Sequence, residues 1–140
     1  MLRQVILAAS ANHRVKALVA GAPLSRSVVR RFVAGEQTDD AVRATRALQA
    51  AGLVVSLDHL GEDTRDVVHA QATVRAYVEL LERLSADGLT AGGRAEVSVK
   101  LTAVGQVIDP ALALASARTI CAAARAAGTT VTLDMEDHTT

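Results

Sequence analysis

Three short stretches alternate apolar and polar side chains with a period of two: LVVSLD at 53–58, VSVKLTA at 97–103 and TVTLDME at 130–136. Residues two apart on a strand share a face, so Val55 and Leu57, then Val97, Val99 and Leu101, then Val131 and Leu133 form one apolar set. Ser56 and Asp58, Ser98, Lys100 and Thr102, and Thr132 and Asp134 form the opposite, polar set. Helical patterns separate the strands. The first runs from about Thr64 to Leu84 with Val67, Val74, Val78 and Leu81 on one stripe, Tyr77 and Leu84 alongside, and Glu62 and Asp63 as its loop and cap. The second has Asp109 at its cap, Pro110 at its first position and Gly128 just past its end. Strands alternating with helices are the signature of βαβ units and a parallel sheet.

The chain before residue 52 reads differently. Helical pieces stop at AGAP (20–23) and at AGEQT (34–38), where FVAGE serves packing and a turn at Gly35. Thr38 then caps a new helix with Asp39 and Asp40 in its first turn, and Gly52 stops it after RALQAA. The expected organisation is an amino-terminal helical segment over 1–51 and an α/β segment over 52–140.

The polar faces decide which α/β class this is. A doubly wound sheet is covered by helices on both sides and its strands should be apolar on both, whereas each of these strands keeps one polar face carrying a charge. A barrel packs its outer face on helices, and its active site collects at the carboxyl ends of the strands. Asp58, Lys100 and Asp134 stand near those ends. Lys100 is then expected to point into a lumen, toward carboxylates or an anionic ligand. The three charges can also be read as a structural ion-pair network. Buried ion pairs stabilise little more than apolar replacements, which favours function. Asp58 reads equally as a structural partner of Lys100 and as a catalytic group.

Composition narrows the partners. Half of the 140 residues are hydrophobic, the formal net charge is zero with a pI near 6.9, and Phe32 and Tyr77 are the only large aromatics. That removes the basic surface and stacking platforms of a nucleic-acid binder. The lone Cys121 gives no disulfide framework or thiolate metal set, which points to a reducing, cytoplasmic setting. The apolar run in MLRQVILAAS is short and lacks a clean cleavage region, and no segment approaches the ~18 apolar residues of a membrane span.

Other constellations are weaker. His59 and His138, with Asp58, Asp134, Glu136 and Asp137, imitate a divalent metal site, but only His138 shares the lumen parity, and no metal is expected. His13 and His69 read as ordinary helix-surface positions. A strand lysine beside carboxylates is also the equipment of a Schiff-base lyase or aldolase, with Lys100 as the amine, provided that amine is largely neutral.

RRFVAGEQTDDAVRATRALQAAGLVVSLDHLGED, VSVKLTAVG and VTLDMEDHT, in this order and spacing, resemble the monofunctional bacterial proline dehydrogenases. The likeness covers nearly the whole chain and is specific as a set of three. It implies a (βα)8 barrel of the TIM type preceded by helices. The implied reaction is FAD-dependent oxidation of L-proline to Δ1-pyrroline-5-carboxylate, with electrons passed to a quinone. Carried over residue by residue, the resemblance implies that Lys100 binds the proline carboxylate and that Asp134 lies beside substrate and flavin as the catalytic position. Leu133 touches the flavin, through its backbone because its side chain points outward. Quinone access implies association with the inner face of the membrane.

A full barrel needs about 250 residues. The family's flavin-anchoring arginine, its dinucleotide contacts and the paired arginines of its carboxylate clamp fall beyond Thr140. The expectation is therefore the first three βα units of an incomplete barrel, inactive alone, with a complementing carboxyl-terminal half as partner. The non-enzyme alternative is a non-catalytic fragment that pairs with another chain.

Overall fold

The computed structural model describes residues 33–61 and 63–136. The helical pieces expected before residue 33, and His13, Phe32, Glu62, Asp137 and His138, lie outside the described residues. From Glu36 onward the chain forms a single compact unit. Its elements are α1 (Thr38–Ala50), β1 (Val55–Asp58), α2 (Val67–Ala86), β2 (Ala95–Lys100), α3 (Pro110–Ala126) and β3 (Val131–Asp134).

Local hydrogen bonds set the boundaries and correct several expectations. Gln37, not Thr38, precedes α1: its N–H donates to Asp40 Oδ2 at 3.3 Å, while the Thr38 hydroxyl reaches Glu79 on α2 at 3.0 Å. The strand expected from Leu53 begins at Val55, because the Leu53 N–H is taken by the Leu48 carbonyl closing α1. Asp66, not Asp63, caps α2, its Oδ1 accepting from Val68 at 2.6 Å. The helix accordingly starts three residues later than Thr64 and runs to Ala86. The strand expected to reach Ala103 ends at Lys100, since the N–H groups of Ala103, Val104 and Gln106 turn back to the carbonyls of Lys100 and Leu101. The third strand is likewise shorter than 130–136, spanning Val131–Asp134. The signals for α3 were read correctly: Asp109 accepts from the Ala111 N–H, Pro110 opens the helix, and Gly128, at φ +71°, ends it in the left-handed region that favours glycine.

The three strands are parallel and neighbour one another in chain order, with Leu57 opposite Val97, Asp58 opposite Ser98, Val99 opposite Leu133 and Lys100 opposite Asp134. Both connecting helices cover the same face. Val97 and Val99 are wholly buried there among Tyr77 and Leu81 of α2 and Ile120 and Ala124 of α3, with Leu57, Leu101 and Val131 at the margin. Val42 of α1 joins Leu84, Leu89 and Ala95 in a second cluster. The buried line of α2 is Ala70, Tyr77, Leu81 and Leu84; Val67, expected on that line, is exposed. Each fully buried Val, Leu or Ile side chain contributes about 1.5–3 kcal/mol, so the Val97/Val99 face anchors the unit.

Sequential strand order with both crossover helices on one side is the singly wound arrangement, unlike the reversing order of a doubly wound sheet. The opposite face carries Ser56 and Asp58 from β1, Glu96, Ser98 and Lys100 from β2, and Thr132 and Asp134 from β3.

Candidate functional site

Strand parity and register bring the charged ends of β2 and β3 together. Lys100 and Asp134 are register partners, and the Lys100 Nζ lies 3.3 Å from Asp134 Oδ2. Glu136, two residues past Asp134, brings its Oε1 to 3.3 Å from the same nitrogen. The other oxygen of Glu136 accepts from the hydroxyl of Thr102, which is buried two residues past Lys100. Hydrogen bonding to Asp134 foremost, and then contact with Glu136, holds the Lys100 ammonium above the ordinary lysine pKa against an opposing desolvation. A lysine held charged is the wrong lysine for imine formation, which needs the neutral amine. The arrangement therefore opposes the Schiff-base alternative.

Lys100 pairs with Asp134 and Glu136 rather than with Asp58, contrary to the structural pairing expected from sequence; Asp58 turns instead to Tyr77. The Tyr77 side chain rises from α2 through the apolar layer, and its hydroxyl arrives where β1 parts from β2. There it accepts from the His59 N–H at 3.0 Å, and its one proton faces Ser98 O at 2.7 Å and Asp58 Oδ1 at 3.0 Å. Burial pushes the phenol pKa well up, so it acts as a neutral donor. The His59 ring lies beside Tyr77, with centroids 5.9 Å apart. Among the described residues no group of three or more His, Cys, Asp or Glu side chains is placed to hold a metal ion.

Lower on the same face, Glu96 accepts from the hydroxyls of Thr132 at 2.9 Å and Thr130 at 2.5 Å. These bonds, Thr130 first, with a further one from Ser56, hold its carboxyl below the usual glutamate range. Glu96 lies outside the strand expected from Val97 because β2 starts two residues earlier, at Ala95; the parity of Ser98, extended back by two, is the signal that points to it. The Tyr77 hydroxyl was missed because the residue was read for its ring alone, although a buried tyrosine hydroxyl needs a partner.

Leu133 stands on the helix-bearing side of β3, opposite Val99 in register and half exposed, so only its backbone adjoins Asp134 at the strand end. Lys100, Asp134, Glu136 and Thr102 therefore form one connected group, with Tyr77 and Asp58 beside it at the end of β1 and Glu96 below.

In sequence and fold the chain is similar to known proteins. The family model described as proline dehydrogenase matches residues 41–140. Proline dehydrogenase 1 of Bacillus subtilis is 33% identical over 138 residues, covering 99% of this chain and 44% of its own length. A proline dehydrogenase of Deinococcus radiodurans is 37% identical over 116 residues, covering 81% of this chain and 36% of its own. The chain thus spans less than half the length of these relatives. Among solved structures, proline utilization A (PutA) from Bdellovibrio bacteriovorus inactivated by N-propargylglycine superposes with a TM-score of 0.72 at 23% identity, over 89% of this chain and 15% of that one. The solved structure shares the fold, and with a family model matching most of its length this chain belongs to the proline dehydrogenase family.

Proposed function

We propose that this chain supplies the first three βα units of a (βα)8 barrel and, on their lumen face, the proline-carboxylate contact of an FAD-dependent proline dehydrogenase. The observation that carries this reading is the Lys100 ammonium held 3.3 Å from both Asp134 and Glu136 at the carboxyl ends of the strands. One cation between two anions suits a zwitterion: the proline carboxylate takes a contact on Lys100 while the ring nitrogen faces Asp134 and Glu136. Lysine offers a strong point charge to a carboxylate, and the two acids keep it protonated.

The flavin fits this chain in part. In this reading the backbone of Leu133, at the end of β3, adjoins its ring. Lys100 is the cation on the described lumen face and is assigned to the proline carboxylate, so this reading gives the diphosphate of FAD no cation among the described lumen residues. When bound, the flavin supplies the hydride acceptor for oxidation of the proline ring to Δ1-pyrroline-5-carboxylate. The chain's own residues bind and orient: Lys100 fixes the carboxylate, Asp134 and Glu136 balance the ring nitrogen, and Tyr77 holds the end of β1 clear of Lys100. A quinone as electron acceptor and association with the inner face of the membrane belong to the same proposal. Among the described residues no helix is long and apolar enough to cross a membrane.

The test is complementation. The chain is assayed for proline-dependent dye reduction with added FAD, alone and mixed with a carboxyl-terminal barrel half cut from the Bacillus subtilis relative. Activity is expected in the mixture, with a loss of about a hundredfold or more in Lys100→Met, the scale of removing a charge-stabilising donor. No reduction in a mixture shown to associate, or full activity in Lys100→Met, would overturn the reading.

A further inference from the structure

Thr102 occupies a junction of three loops. It lies in the turn just past β2, two residues beyond Lys100, and only 3% of it is exposed. Its carbonyl accepts from the Thr64 N–H at 3.1 Å, which ties down the loop that follows β1. Its hydroxyl donates to Glu136 Oε2 in the segment that leaves β3, and Glu136 Oε1 sits 3.3 Å from the Lys100 Nζ. Glu136 thus turns one oxygen to the threonine and the other to the lysine.

That division answers an electrostatic difficulty. Asp134 also lies 3.3 Å from the lysine, so two carboxylates crowd one ammonium and repel each other. A hydroxyl donor on the far oxygen of Glu136 offsets part of that repulsion and fixes the carboxylate's orientation. A hydrogen bond from a buried donor to a charged acceptor is among the stronger kinds.

We propose that Thr102 is a positioning residue, whose hydroxyl fixes Glu136 as the second anionic partner of Lys100 and so holds the ammonium at one point above β2. The proposal deepens the functional reading and rests on Lys100 being the substrate-carboxylate contact. Because the loop after β1 hangs on the carbonyl of the same residue, Thr102 also keeps the exits of all three strands in register around that point.

The test reads the lysine itself, without turnover. The full chain is labelled with trace acetic anhydride at mildly alkaline pH beside a free lysine standard, and Lys100 acetylation is quantified by mass spectrometry. Thr102→Val keeps the shape and the main-chain bond to Thr64 but removes the hydroxyl. It is expected to raise the relative acetylation rate of Lys100 by roughly threefold to tenfold, since each unit of lowered pKa frees about ten times more neutral amine. Thr102→Ser restores the parental rate, Glu136→Gln raises it as much as Thr102→Val does, and the double variant raises it no further. Circular dichroism confirms the fold of each, and Thr102→Ala replaces Thr102→Val if the latter does not fold. A parental rate in a folded hydroxyl-less variant, or a rise on top of Glu136→Gln, overturns the proposal. Proline oxidation plays no part in the readout, so this failure is distinct from failure of the complementation.

Discussion

Lys100 and Asp134 hold matched positions on β2 and β3 and meet at 3.3 Å on the face turned away from the helices. Opposite charges facing each other across neighbouring strands support the pairing, and Glu136 adds a second acid to the same cation. Lys100→Met keeps the chain length but leaves the two acids without their cation. The repulsion between those two carboxylates is then no longer offset, which destabilises the folded state. The urea midpoint of Lys100→Met is expected to fall below the parent at neutral pH; an unchanged midpoint would sink the idea. The raised Lys100 pKa acts at the alkaline end of the scale. Its stabilisation is complete below the ordinary lysine value of 10.5 and is lost as pH rises through the higher folded value, an alkaline limb that Lys100→Met should lack.

Tyr77→Phe removes the one oxygen that bridges two backbone groups. The His59 N–H and Ser98 carbonyl are both satisfied by that hydroxyl at the end of the β1–β2 ladder. A net hydrogen bond contributes about 0.5–1.5 kcal/mol, so losing this part-buried bridge is expected to lower stability by about 1–2 kcal/mol in urea unfolding. Amide exchange at His59 should quicken at the same time. A stability within error of the parent would mean that the hydroxyl bridge is dispensable.

Parity was the most legible part of the fold. Because Val97 and Val99 alternate with Ser98 and Lys100, the two faces of β2 were readable from the sequence, and the structure buries the first pair and gathers the second pair's neighbours on the opposite side. Strand ends were less legible, because Leu101 and Thr102 continue the alternation while their backbones have already turned. The partner of Asp58 was hidden for a different reason. It comes from Tyr77, 19 residues along the chain on a helix packed on the other face, and nothing in the period of β1 reports it. Glu136 was seen only as an acid near a strand end; its link to Thr102 spans 34 residues and depends on where two loops exit.

Glu96→Gln tests the lower layer of the polar face. Hydroxyl donors hold the Glu96 carboxyl below its ordinary value of 4.5, so its charged form stabilises the fold above that pH, and the contribution is lost as pH falls through the lower folded value. Glutamine accepts the same hydroxyls without the charge. The parent is therefore expected to be the more stable at neutral pH, with the two converging as the pH drops well below 4.5. Thermal melting across that range measures it, and parallel curves would remove Glu96 from the acid response.

Gly105 controls the turn that carries the chain from Lys100 to α3. Its carbonyl accepts from Ile108 at 3.0 Å and from the helix-capping Asp109 at 2.9 Å, and its φ is +115°, in the region that favours glycine. A Cβ there would also meet Leu112 Cδ2 at 2.8 Å. Gly105→Ala thus carries two separable penalties: backbone strain of about 1–3 kcal/mol and a side-chain collision that Leu112 must relieve by moving. Leu112→Ala removes the collision but not the strain. In a double-mutant cycle the paired variant should be less destabilised than the sum of the singles, while Gly105→Ala still costs about 1 kcal/mol or more in the Leu112→Ala background. Strict additivity would show that the collision is absorbed without effect. A Gly105→Ala chain as stable as the parent would show that the turn after Lys100 does not depend on this glycine.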